Sequence, residues 1–182
     1  MKKYFIIIFC ITFLQPLVAQ EAYNVNNLMI KVNLLRPGMT FEKGISKNTT
    51  VCLDASLIFG FSFSTSMMNG TDFGLSVGPL FRAQYRYYYN FEKRKIKGKN
   101  SLNNSGNFFA ASSGYSFKPV NFLRDDNRSD NLTVGGVWGF QRTYKSNVNI
   151  SANFGVGYNF SENVKSNIVP IINFSVGWVI FK

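Results

Sequence analysis

Apolar and polar residues alternate along most of the chain with a period of two. Between Thr50 and Ser64 the odd positions are Val51, Leu53, Ala55, Leu57, Phe59, Phe61 and Phe63. The even positions are Thr50, Cys52, Asp54, Ser56, Gly60, Ser62 and Ser64, interrupted by Ile58. From Phe73 to Phe91 an odd set rich in Phe, Leu, Val and Tyr faces an even set containing Ser76, Arg82, Gln84, Arg86 and Asn90. Val148 to Phe160 sets Val, Ile, Ala, Phe and Tyr against Asn, Ser and Gly, and Ile168 to Ile180 repeats this less purely. A period of two sustained over such stretches predicts strands and is incompatible with helices.

Six strands are predicted near 50–64, 72–91, 107–118, 131–144, 148–160 and 167–181. Within 27–46 the apolar phase flips, from even positions (Leu28, Ile30, Val32, Leu34) to odd ones (Met39, Phe41, Ile45), across Arg36-Pro37-Gly38. A β-bulge would flip the phase. Pro-Gly is also a type II turn signal, and a hairpin there raises the total to eight, an even number as expected of bacterial single-chain membrane barrels. Connections then fall near 46–49, 92–106 and 145–147 on a periplasmic side, and near 36–38, 65–71, 119–130 and 161–166 on an extracellular one. The stretch 92–106 is long for a periplasmic turn.

Composition adds a membrane to this pattern. Of 182 residues only 16% are charged, while 16% are aromatic, with 19 Phe and 9 Tyr. A soluble domain is about a quarter charged. The mean hydropathy of −0.03 is what an apolar outer face and a polar inner face average to. Residues 1–19 read as a signal peptide: Lys2 and Lys3, an apolar stretch Tyr4–Leu14, then Leu17-Val18-Ala19 before Gln20. That apolar stretch is too short for a membrane-spanning helix. Residues 20–26 form a short segment and 27–182 the barrel domain. After cleavage Cys52 is the single cysteine, so no internal disulfide can form. Without Lys2 and Lys3, 18 of the 20 basic residues remain against 9 acidic ones.

Aromatics are expected in two girdles. Tyr85, Tyr87, Tyr89, Phe91 and Tyr144 would mark one rim, and Phe61, Phe63, Phe73, Tyr115, Phe117, Tyr158 and Phe160 the other. In a soluble lipocalin-like barrel the apolar face would turn inward against a charged exterior; the small polar residues here suit a narrow lumen better. The signal, the alternation and the strand count together resemble the small eight-stranded outer-membrane barrels, among them the transmembrane domain of outer-membrane protein A and outer-membrane protein X. The segments Arg86-Tyr87-Tyr88-Tyr89-Asn90, Asn104-Ser105-Gly106-Asn107 and Gly139-Phe140-Gln141-Arg142-Thr143-Tyr144 resemble those of outer membrane protein beta-barrel domain families. Many such barrels end on an aromatic residue; this chain ends on Lys182, with Trp178 and Phe181 nearby. The fold class expected is all-β, an eight-stranded antiparallel up-and-down transmembrane β-barrel in the cell outer membrane.

The chain contains no histidine, which removes the usual general base and imidazole metal ligand. Neither a catalytic set nor a cofactor or metal site is expected, only a carboxylate-based hydrolase remaining conceivable. The inward-facing charges Glu42, Asp54, Arg82 and Arg86 are the candidate site, read as a structural lumen cluster. Reflection about a turn centred near residue 48 sets Glu42 opposite Asp54, and reflection about residue 68 sets Asp54 opposite Arg82. Pairing is expected because lone charges there are costly, and Arg82→Ala should then leave unpaired carboxylates. A pore constriction is the functional alternative.

The basic run Lys93–Lys99 has no helical amphipathicity, and reads as a solvated turn or a contact for anionic headgroups. Asp125–Asp130 lacks the Gly and Glu of a calcium loop. Asn-x-Ser/Thr sites such as Asn48 and Asn69 carry little weight in a bacterial chain. The expected role is non-enzymatic, structural or surface-interacting, through the loops at 65–71 and 119–130. The expected partners are outer-membrane lipids and lipopolysaccharide, with barrel-assembly machinery during insertion, no nucleic acid, and a monomeric state. Alternatives are a narrow pore for small solutes and a soluble periplasmic lipid-binding barrel.

Overall fold

A computed structural model describes residues 25–66, 70–121, 129–161 and 166–182. The expected signal peptide, the tips of three loops and most of the Asp125–Asp130 segment lie outside these residues. The described chain is all-β apart from one short helix. Its strands are β1 (Leu28–Asn33), β2 (Gly38–Ser46), β3 (Thr49–Ser66), β4 (Gly70–Tyr88), β5 (Asn107–Ser116), β6 (Val120–Asn121), β7 (Asn131–Thr143), β8 (Val148–Ser161) and β9 (Asn167–Phe181), with α1 (Phe91–Ile96) between β4 and β5.

Each long strand pairs antiparallel with the next, β3 with β4 closes the order β3-β2-β1-β9-β8-β7-β5-β4, and β1 with β9 joins the ends of the chain. Eight strands therefore form a closed ring, which leaves few free edges. The two-residue β6 is an addition the alternation did not reveal: it extends the β4 ladder at Ser76 and Val77, beyond the reach of β5. Turns 47–48 and 144–147, the 89–106 connection, the start of β1 and the end of β9 lie at one end of the barrel, the proximal end. The 34–37 turn, the ends of β3, β5 and β8 and the starts of β4, β7 and β9 lie at the distal end.

The period-two pattern resolves in one direction. Odd positions of β3 and β4 point outward: Leu53, Phe59, Phe81 and Tyr85 are 51%, 44%, 52% and 54% exposed, whereas Cys52, Gln84 and Tyr88 between them are buried. On β8, Phe154 and Val156 point out while Asn149, Ser151 and Asn153 point in. The interior is thus mostly polar and the exterior apolar, the reverse of a soluble core. A small apolar cluster, Val25, Tyr88, Phe91, Phe108, Ala110 and Val137, fills the proximal end.

Several expectations change. The predicted strand 72–91 stops at Tyr88, and Phe91 starts α1 and is buried against Tyr88 at a ring distance of 4.9 Å, so it belongs to the core and not to the aromatic rim. Tyr85, Tyr87, Tyr89 and Tyr144 remain exposed at that end. The basic run opens on a helix despite its lack of amphipathicity, because one buried residue, Phe91, anchors it while Lys93 and Lys95 face outward. The Pro-Gly step is not a type II turn: the turn is 34–37, and Gly38 opens β2 with a φ outside the positive region. Glycine is needed there because a Cβ would strike the Ser56 backbone of β3.

Candidate functional site

The interior of the proximal half is organised around Glu42, which β2 turns inward and which is fully buried. Its Oε1 accepts from Tyr88 Oη at 2.7 Å, Asn104 Nδ2 at 2.9 Å and Thr50 Oγ1 at 3.1 Å. Its Oε2 accepts from Lys31 Nζ at 3.0 Å and Gln141 Nε2 at 3.2 Å, and lies 3.6 Å from Arg86 Nη1. One carboxylate thus collects donors from four strands and the β4–β5 connection. An ionised carboxyl in so dry a place is tolerable only when its lone pairs are filled and its charge is matched. Here two cations, Lys31 and Arg86, match it.

Arg86 is itself held on several sides. Its Nε and Nη2 donate to Gln84 Oε1 at 2.9 and 2.7 Å, its Nη1 donates to Gln141 Oε1 at 3.1 Å, and its guanidinium lies 4.6 Å from the Phe108 ring centre. Gln141 also accepts from Lys31 at 2.8 Å, so it bridges both cations. Lys31 was missed by the sequence reading. The signal was present: it occupies an odd position of β1, opposite the apolar even set, but the phase flip in 27–46 obscured which set faced inward.

The other candidate residues sit differently from expectation. In the β2–β3 register Glu42 faces Cys52, and Thr40 faces Asp54. The two-residue turn at 47–48 with its bulge between Gly44 and Ser46 shifts the pairing, so Glu42 and Asp54 are not opposite one another. Asp54 does face Arg82 across β3 and β4. Yet its oxygens accept from Thr40 Oγ1 and Ser56 Oγ at 2.8 Å and from Asn33 Nδ2 at 3.3 Å. The ion pairs among the described interior residues are Lys31–Glu42 and Arg86–Glu42. The expected three-residue stack of Glu42, Asp54 and Arg82 therefore separates into a Glu42 network and an Asp54 cluster.

The long 89–106 connection is a plug. Asn103 and Asn104 take positive φ values of 51° and 56°, a region asparagine tolerates better than most residues. This turns Asn104 into the barrel, where it is fully buried and bonds both Glu42 and the Asn26 backbone N–H. Ser105 Oγ accepts from the Thr143 backbone N–H at 2.9 Å, and the Gly106 carbonyl accepts from Gln141 N–H at 2.8 Å. The three segments that carried the family resemblance, 86–90, 104–107 and 139–144, thus meet in one hydrogen-bonded knot. At the distal end, the Asp130 carboxylate clamps the β5–β7 connection by accepting from Tyr115 Oη and the Lys118 backbone N–H, both at 2.7 Å. The same two bonds hold its carboxyl below the usual carboxylate range.

Between the Glu42 network and the distal half the lumen narrows to a cavity of about 20 Å³, whose wall includes Asp54, Arg82 and Arg86. That is about the room one water needs. No cluster of three or more His, Cys, Asp or Glu suited to a metal occurs among the described residues. Comparison with family models, curated proteins and solved structures finds no match for this chain.

Proposed function

We propose that the protein is a non-enzymatic barrel of a Gram-negative outer membrane, with a closed lumen and a structural or surface-interaction role. The observation that carries this reading is the inverted wall. Among the described residues, the outward positions of the eight ring strands hold two charges, Lys43 and Arg142, both within a few residues of the proximal turns. Elsewhere the wall is Leu, Ile, Val, Phe, Tyr and Trp with small residues, as hydrocarbon requires and water penalises. Basic side chains at Lys47, Lys145, Lys182 and along Lys93–Lys99 ring the proximal end, a composition that suits a polar membrane surface. The leader-like residues 1–19 support export to the envelope.

A closed lumen favours an envelope or contact role over transport. The plug and the small cavity of about 20 Å³ lined by Asp54, Arg82 and Arg86 support this reading, and the largely polar interior gives little support to a soluble carrier of lipid. The protein is expected in the detergent-extracted membrane fraction, with a gel mobility that shifts on boiling. Planar bilayers containing it are expected to show no steady conductance. Recovery as a soluble, non-shifting protein would overturn the membrane assignment, and stable channel openings would overturn the closed lumen.

A further inference from the structure

The barrel wall is uneven, and its low point is chemically marked. β1 ends at Asn33, opposite Gly177 of β9, and β2 begins at Gly38, opposite Ser56 of β3. β3 runs on to Ser66 and β9 begins ten residues before Gly177, at Asn167. Beyond the 34–37 turn no ladder among the described residues joins β3 to β9. The turn itself bonds them through Leu57 N–H to Pro37 O and Leu34 N–H to Val176 O, both 2.9 Å. Above it lies a side gap.

That gap faces an apolar surface. A turn in water ordinarily carries Asn, Asp, Ser or Gly at its tip, but this one exposes Leu34 and Leu35. Exposed Phe59 on β3 and Ile172 on β9 flank the gap and continue the apolar wall past the turn. If the wall lies in hydrocarbon, the gap opens sideways into it.

Behind the gap is a cavity of about 270 Å³, walled by Ile58 of β3 and Val169 and Ile171 of β9, with Arg82 and Asn173 also in its lining. Arg36 and Arg82 together line the smaller cavity at the waist. Arg82 donates no hydrogen bond among the described residues. Arg36 donates Nη1 to Asn173 at 3.3 Å, while its Nε is buried with no partner. Asp54 bonds Thr40, Ser56 and Asn33 instead, and forms no ion pair with either guanidinium among the described residues. The charges lining this interior are Lys31, Arg36, Arg82 and Arg86 against Glu42 and Asp54, an excess of two cations. Two under-bonded guanidiniums beside an apolar wall, reached from an apolar surface, form the complement of an anionic amphiphile.

We propose that this site binds a single-chain acyl carboxylate, with its head on Arg36 and Arg82 and its chain passing out through the gap between β3 and β9. The 270 Å³ cavity takes a compact head and the first methylenes, not a glycolipid headgroup. The proposal rests on the membrane reading above, so that reading is tested first, by reconstitution into phosphatidylcholine nanodiscs and heat-modifiability. Failure at that step overturns both. The reconstituted barrel is then titrated with radiolabelled palmitate, with empty nanodiscs as blank and hexadecanol as uncharged competitor. Saturable binding of about one palmitate per barrel is expected, weakened by about tenfold or more in Arg82→Gln and in Arg36→Gln, and not displaced by hexadecanol. Arg82→Gln is expected to keep the heat-modifiable fold, since Arg82 gives up no hydrogen bond; Arg36→Gln serves if it does not. Palmitate retention no greater than in empty discs, retention undiminished in the folded variants, or displacement by hexadecanol would overturn the site.

Discussion

Glu42→Ala is expected to destabilise the folded barrel by about 3–5 kcal/mol, the range seen when one partner of a buried ion pair is removed. The substitution leaves Lys31 and Arg86, both nearly fully buried, without their counter-charge. It also strands Tyr88 Oη, Thr50 Oγ1 and the Asn104 amide, each of which donates to Oε1. Asn104 is the tip of the plug, so the loss should loosen the 89–106 connection as well as the strands. Urea unfolding of the refolded protein in detergent measures the difference. Glu42→Gln keeps an acceptor oxygen and should cost less. Replacing Lys31 by Met alongside Glu42→Gln should recover part of the loss, because one buried cation then needs no partner. A Glu42→Ala protein within about 1 kcal/mol of wild type would mean that the network does not hold the barrel together.

Gly155→Ala should also be damaging, at about 3 kcal/mol or through failure to assemble, for a steric reason. β8 approaches β7 so closely that a Cβ on Gly155 would overlap the Gly136 carbonyl oxygen and lie 2.7 Å from the Val137 Cα. These are backbone atoms in a ladder that cannot yield without shifting the register Val137↔Gly155. Gly136, on the same pair of strands but with open space around its Cβ position, is the control. Gly136→Ala should refold with wild-type yield. Equal behaviour of the two variants in refolding yield and urea midpoint would show that the close approach relaxes at little cost.

The strands and the candidate charges were legible to different depths. Strand positions were readable because a period of two over a long segment has one structural cause. Cys52, Asp54 and Ser56 alternate with Leu53, Ala55 and Leu57 whatever the neighbours do. Asp54 opposite Arg82 was readable too, since β3 and β4 pair without a bulge and reflection about one centre holds along the whole hairpin. Glu42 opposite Asp54 failed because the turn is centred between 47 and 48 and the bulge between Gly44 and Ser46 shifts the register by one more residue, which together move the partner from Asp54 to Cys52. Lys31 was hidden by the phase flip that the 34–37 turn produces. The plug was hidden for another reason: Asn104 and Ser105 look like loop residues, and only the closure of the ring around them makes them buried donors.

The alternation of apolar and polar residues by itself determined an all-β chain with one apolar and one polar face, because side-chain period and residue chemistry are local properties. The tertiary structure decided which face turns inward and which charges meet. It also made the 89–106 connection a plug and left the β1–β2 side of the wall low. Those outcomes depend on register, strand length and ring closure, which set distances between residues far apart in the chain and leave no period in the sequence to read.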